Sequence, residues 1–143
     1  MKKLHQGGCH CGAVRFECRL DPVEGTSRCN CSMCAKGRFW KAIARKEDFR
    51  ILQGENDLSD YQFGSRNIHH LFCRQCGIKP FGRGHMDALG GTFYAVNVAC
   101  LDGLSPFDFP EVVVYDGSRH PADDPEHRTY VAGVLRFEPE AGA

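Results

Sequence analysis

Three clusters of cysteine hold most of the chemistry this sequence could perform. Cys29, Cys31 and Cys34 fall within six residues as C-x-C-x-x-C; Cys9 and Cys11 form a C-x-C before them, and Cys73 and Cys76 a C-x-x-C after them. Thiolates two or three positions apart on a tight turn converge on one soft cation, and Zn²⁺ is the common one. A structural zinc takes four protein ligands, whereas a catalytic zinc keeps a position open. Seven clustered cysteines divide into four and three. The outer pairs, Cys9/Cys11 and Cys73/Cys76, are expected to make a closed four-cysteine site. Such a site pins the N-terminus to the middle of the chain and adds directly to folding free energy. Cys29, Cys31 and Cys34 leave a cation one ligand short, to be completed by water, a histidine or a substrate. A zinc-bound thiol is deprotonated near neutral pH, and the thiolate is the nucleophilic form. An open three-thiolate zinc therefore suits chemistry on a small thiol, or on a carbonyl joined to one. With a histidine as fourth ligand it would be a second structural site.

Composition bounds the setting. The 143 residues suit one domain, 1–143, with a modest core. Lysine plus arginine and aspartate plus glutamate are 18 each, for zero net charge, which argues against a nucleic-acid partner, since that calls for a basic surface. Lys2 and Lys3 are not followed by an apolar run, so no signal peptide is expected, and no stretch reaches the ~18 apolar residues of a membrane span. A reducing, cytoplasmic compartment follows, where clustered cysteines favour metal over disulfides. The cysteine count, nine, is odd. Cys18 and Cys100 stand alone and are expected to be small buried hydrophobes.

The elements that position these clusters read as mostly β. Val14, Phe16, Cys18 and Leu20 alternate with polar residues, as on a half-buried strand. Further strands are expected at Phe39–Ala44, Ile51–Gly54, Leu58–Gly64, Ile68–Cys73, Ile78–Gly82, Thr92–Leu101 and Val112–Tyr115. Lys46–Phe49 reads as one helical turn. The triple-cysteine segment reads as a turn closed by Ala35-Lys36-Gly37. Arg74-Gln75-Cys76-Gly77 has the form of a zinc knuckle, with Gly77 free to take a positive φ. Residues 24–27 and 118–128 read as loop, 130–137 as strand or helix, and 138–143 as a frayed end.

Other polar residues are less specific. His69 and His70 on one strand face opposite sides, so one of them points inward, where a hydrogen-bonded core histidine is the ordinary role. His85 follows a flexible Gly82-Arg83-Gly84, and His10 sits within the first cysteine turn. Arg38, Lys41 or Arg83 could bind an acidic thiol carrier.

Gly8-Cys9-His10-Cys11-Gly12, Cys29-Asn30-Cys31-Ser32-Met33-Cys34 and Phe72-Cys73-Arg74-Gln75-Cys76-Gly77 together resemble the glutathione-dependent formaldehyde-activating enzyme family, also called Gfa-like or centromere-protein-V-like. Phe39, Asp48-Phe49, Gly54, Tyr61 and Cys100-Leu101-Asp102 fit the same pattern, and the resemblance covers about 5–115. It implies several small coiled β-sheets around zinc-binding turns, a β-tent or Mss4-like fold. It implies a structural zinc on Cys9, Cys11, Cys73 and Cys76 and a catalytic zinc on Cys29, Cys31 and Cys34. The activity it implies is that of a carbon–sulfur lyase, run as condensation of glutathione with formaldehyde to S-hydroxymethylglutathione.

The reading that follows is a zinc-dependent carbon–sulfur lyase acting on a thiol–aldehyde adduct, with Cys29, Cys31 and Cys34 as the catalytic set and a small-molecule thiol or adduct as partner. The alternative from another class is a zinc-stapled binding module without activity. Methionine-sulfoxide reduction would need a free cysteine of low pKa, for which only Cys18 and Cys100 remain.

Overall fold

The computed structural model describes residues 1–22, 25–126 and 128–141. Of the expected loops and frayed end, Glu24, His127, Gly142 and Ala143 lie outside these residues. The described chain is mostly β, as expected. Its strands are β1 (Lys3–Gly8), β2 (Arg15–Leu20), β3 (Thr26–Cys29), β4 (Lys41–Arg45), β5 (Phe49–Gln53), β6 (Leu58–Tyr61), β7 (His69–Cys73), β8 (Phe81–Met86), β9 (Gly91–Asn97), β10 (Glu111–Tyr115) and β11 (Val131–Arg136), with one helix, α1 (Ser32–Gly37), between β3 and β4.

They form two sheets. A three-stranded sheet runs β1-β2-β5 and an eight-stranded sheet runs β11-β10-β3-β4-β9-β8-β7-β6. Neighbours pair antiparallel except β3 with β10, which are parallel. The alternation that leads into β2 does what its period requires: Val14, just before the strand, and Phe16, Cys18 and Leu20 on it are all buried. The two sheets meet through aromatic rings. Phe16 and Phe49 come from the smaller sheet and Phe81 and Tyr94 from the larger. Phe49 stacks on Tyr94 at 4.0 Å between centroids and meets Phe81 edge-on at 4.8 Å, while Phe16 lies 5.6 Å from Phe81. A second aromatic group ties down the C-terminal segment, with Phe109 edge-on to Trp40 at 5.0 Å and Phe137 at 6.0 Å from it.

Several boundaries differ from the sequence reading, each for a local reason. Thr26–Cys29 is a strand because parallel β10 and antiparallel β4 supply its hydrogen bonds. Lys3–Gly8 lacks apolar alternation, yet it forms β1 on the edge offered by β2, from Lys3 opposite Leu20 to Gly8 opposite Arg15. The triple-cysteine segment is a short helix rather than a turn, with Cys31 at its N-cap and Arg38 in the left-handed region (φ 52°) at its C-cap. Lys79 and Pro80 precede β8 instead of belonging to it, consistent with a proline that cannot donate to a ladder. β9 ends at Asn97, whose side-chain oxygen accepts the Ala99 N–H at 3.1 Å and turns the chain into a 3-10 segment, Val98–Cys100. The segment left open between strand and helix contains β11, an edge strand on β10. Lys46–Asp48 is a single 3-10 turn, close to the expected helical turn.

Candidate metal centres

The two outer cysteine pairs come from different sheets. Cys9 and Cys11 lie in the turn between β1 and β2; Cys73 ends β7 and Cys76 sits in the turn that follows. Their four sulfurs lie within 4.8 Å of one another. Cys11 Sγ is 3.7 Å from both Cys9 Sγ and Cys73 Sγ. Four sulfurs held tetrahedrally at about 2.3 Å from a zinc ion are about 3.8 Å apart, so the donor set and its spacing fit that ion; a disulfide would need about 2.05 Å. Peptide N–H groups point at the sulfurs: Val14 donates to Cys9 at 3.3 Å and Gln75 to Cys73 at 3.4 Å. The N–H groups of Ile78 and then Cys11 pull the Cys76 thiol down to about 6. Gly77 takes φ 79° and its N–H reaches the Cys73 carbonyl at 2.7 Å, which closes the knuckle expected there. The first turn is braced from outside by the Arg15–Asp102 ion pair at 2.5 Å and by a bridge between Gly7 and Leu101.

Cys29, Cys31 and Cys34 form the second group, also within 4.8 Å, and among the described residues no fourth His, Cys, Asp or Glu joins it. Cys29 ends β3, Cys31 caps α1, and Cys34 lies in the helix. The Cys31 N–H donates to Cys29 Sγ and the Cys34 N–H to Cys31 Sγ, each at 3.4 Å. A hydrogen bond from Cys34, then the Cys31 N–H and the charge of Lys41, draw the Cys29 thiol down to about 5 against its burial. The same bond pushes Cys34 up. Within this hydrogen-bonded pair the negative charge is favoured on Cys29. β10 fixes this group from one side: Tyr115 pairs with Cys29, the Asn30 N–H reaches the Tyr115 carbonyl at 3.1 Å, and Asn30 Oδ1 accepts the Gly117 N–H at 2.7 Å. Gly117 packs so closely that a Cβ there would stand 2.5 Å from Cys31 Cβ and 2.6 Å from its backbone nitrogen.

The remaining residues sort themselves around these groups. His70 is the inward histidine, 7 % exposed, and burial followed by the charge of Lys79 pushes its pKa down to about 4. Its Nδ1 accepts a hydrogen bond from Lys79 Nζ at 2.7 Å. His69 faces the other way, with Nδ1 2.6 Å from Asp60. His85 is exposed, 3.3 Å from Asp87. No histidine belongs to either sulfur group among the described residues. Of the three cations expected to bind an acidic thiol, Lys41 acts on Cys29 and Arg38 caps α1, while Arg83 lies in β8 opposite His69 and Tyr94. Lys79, which the sequence reading placed inside a strand, is half-buried against the ring of Phe39, the residue that bonds the Cys34 carbonyl. The signal for it is the Lys-Pro dipeptide one residue after the knuckle, since a proline draws the residue before it away from helical geometry. Cys18 and Cys100 are pushed by burial up to about 12 and 11, so neither is the low-pKa thiol that methionine-sulfoxide reduction requires. Two open clefts, of about 320 and 300 Å³, are lined by none of the seven clustered cysteines.

The sequence model of a family described as glutathione-dependent formaldehyde-activating enzyme matches residues 4–116. The chain is also similar to a Rhodobacter sphaeroides protein of known crystal structure. The two are 41% identical with a TM-score of 0.67, over 75% of this chain and 96% of that one. No helix is long and apolar enough to cross a membrane among the described residues.

Proposed function

This chain belongs to the glutathione-dependent formaldehyde-activating enzyme family, and from that premise we propose that it is a zinc-dependent carbon–sulfur lyase that joins a small thiol to an aldehyde, with glutathione and formaldehyde as the first pair to test. The observation that carries this reading is the three-sulfur group of Cys29, Cys31 and Cys34, which lacks a fourth ligand among the described residues. Cys9, Cys11, Cys73 and Cys76 would hold a structural zinc and Cys29, Cys31 and Cys34 a catalytic one. A zinc ion on the three sulfurs would supply Lewis acidity and a fourth position that favours a thiolate.

The chain's own residues do the rest. The Cys31 N–H favours the anionic form of Cys29, as hydrogen bonds to a charged group favour that charge, and the Cys34 N–H fixes the position of the Cys31 sulfur. Lys41 adds a positive charge on the same side, which suits an anionic thiol. The parallel β3–β10 pairing and the Asn30–Gly117 hydrogen bond keep the three donors in place before any substrate arrives. None of the nine cysteines is paired in a disulfide, which accords with a reducing compartment such as the cytoplasm.

The test is zinc per chain by elemental analysis, on protein purified without chelator, with and without excess glutathione. Two zinc ions, one of them responding to the thiol through a shifted affinity, are the expected result. Two zinc ions indifferent to thiol, together with no adduct formation, would make the protein a zinc-stapled binding module instead.

A further inference from the structure

Lys79 carries a charge that the cysteine chemistry does not account for. Its ammonium is half-buried, and among the described residues it makes no ion pair with a carboxylate. Instead Nζ lies 4.0 Å from the centroid of the Phe39 ring and donates to His70 Nδ1 at 2.7 Å. Gly82 lies alongside, where a Cβ would stand 3.7 Å from Nζ. Phe39 follows α1 and its N–H bonds the Cys34 carbonyl at 3.2 Å, so the ring under the ammonium belongs to the segment that leaves the three-sulfur group. Burial, and then the like charge of Lys41, lowers the Lys79 pKa to about 8 against the opposing pull of the Cys34 and Cys31 sulfurs. On the far side His70 is held flat by Phe63, stacked at 5.4 Å. A half-buried cation without a carboxylate is costly, and this one is held between an imidazole and the ring of Phe39, the residue whose N–H bonds the Cys34 carbonyl.

We propose that the Lys79 ammonium is the hydrogen-bond donor for the oxygen of the thiol–aldehyde adduct at Cys29, Cys31 and Cys34, with His70 as the residue that positions it. This rests on the lyase reading above. In the reaction the substrate thiolate adds to the aldehyde carbon, a C–S bond forms, and the carbonyl π pair moves onto oxygen. The alkoxide then takes up the proton that the thiol released, carried by solvent, so that thiol plus aldehyde give the hydroxyalkyl thioether with nothing oxidised or reduced. Negative charge develops on that oxygen alone, and a preorganised donor facing it lowers the barrier. In the reverse direction the same contact stabilises the alkoxide from which the thiolate departs.

The test combines turnover with equilibrium binding on zinc-loaded protein. Lys79→Met is expected to lower kcat for glutathione and formaldehyde by about 10²- to 10³-fold, the usual loss for one oxyanion donor. Zinc content should be unchanged. The Kd for S-methylglutathione, which has the thioether but no hydroxyl, should stay within about twofold. Lys79→Arg, which keeps a charged donor, is expected to recover about tenfold of the lost rate. Lys79→Gln serves in the same measurements if Lys79→Met fails to fold. An unchanged kcat overturns the proposal. So does an equal loss of S-methylglutathione affinity, which would mean that Lys79 contacts the carboxylates of the thiol. Wild-type protein that forms no adduct would remove the lyase reading itself, and this role with it.

Discussion

At the scale of single residues, the two sulfur groups make opposite demands. Cys76 and its three partners span two sheets, so their loss should be a loss of fold; Cys31 sits within one segment, so its loss should be a loss of chemistry. Cys31→Ser is expected to abolish adduct formation while circular dichroism and melting temperature stay near wild type, and Cys76→Ser to give unfolded or insoluble protein. Equal destabilisation by both would mean that the three-sulfur group is structural too. Gly117 sharpens the point without touching a sulfur. A methyl there would meet the Cys31 Cβ and backbone nitrogen at 2.5 and 2.6 Å, closer than real Cβ contacts, and both are parts of a capped backbone that cannot swing aside. Gly117→Ala should therefore lower zinc content from two per chain toward one, read by elemental analysis, with the zinc of the four-cysteine site retained. The cysteine spacing already divided the ligands four and three, because tight turns leave a sulfur set few ways to converge. Gly117 was not legible. Its constraint comes from Cys31, far earlier in the chain, through a strand pairing that no local pattern announces.

At the scale of elements, the pairing of β3 with β10 and the aromatic contact between sheets set the site. Strands with their own alternation, such as β2, were plain in the sequence, since the period of two survives any topology. β1 and β3 were not, because their hydrogen bonds are induced by neighbours rather than by their own side chains. The same holds for the helix at Ser32–Gly37, whose cap is a cysteine sulfur accepting from Cys34, a role more often taken by serine, threonine or aspartate. The inter-sheet rings offer a direct test of this scale. Phe81 is fully buried and touches Phe16 and Phe49 across the interface. Phe81→Ala should cost about 3–5 kcal/mol of stability, read as a lowered denaturant midpoint. Zinc content in native conditions should stay at two per chain, since the ring supplies no ligand and both sulfur groups are built from turns and strand ends.

At the scale of the whole molecule, the question is what holds a sheet of three strands to one of eight. The aromatic cluster is one tie and the Cys9–Cys11–Cys73–Cys76 group is another, since its first pair leaves the smaller sheet and its second the larger. Zinc binding in peptide sites contributes about 10–16 kcal/mol, as large as the whole net stability of about 5–15 kcal/mol typical of a domain. A fold clipped in this way should not survive loss of that ion. The three-sulfur group, by contrast, closes a local segment of β3 and α1, already held by backbone hydrogen bonds to β10 and by the Gly117 contact. Chelator titration separates the two. With one ligand fewer, the three-sulfur group is expected to release its zinc at the lower chelator concentration, with adduct formation lost and the far-ultraviolet spectrum unchanged. The zinc of the four-cysteine site should leave only at higher concentration, and its release, followed with a zinc-sensitive dye, should coincide with unfolding. Release of both ions in one step, with unfolding, would mean that the two sulfur groups belong to one cooperative unit and that the division between staple and reactive centre does not hold.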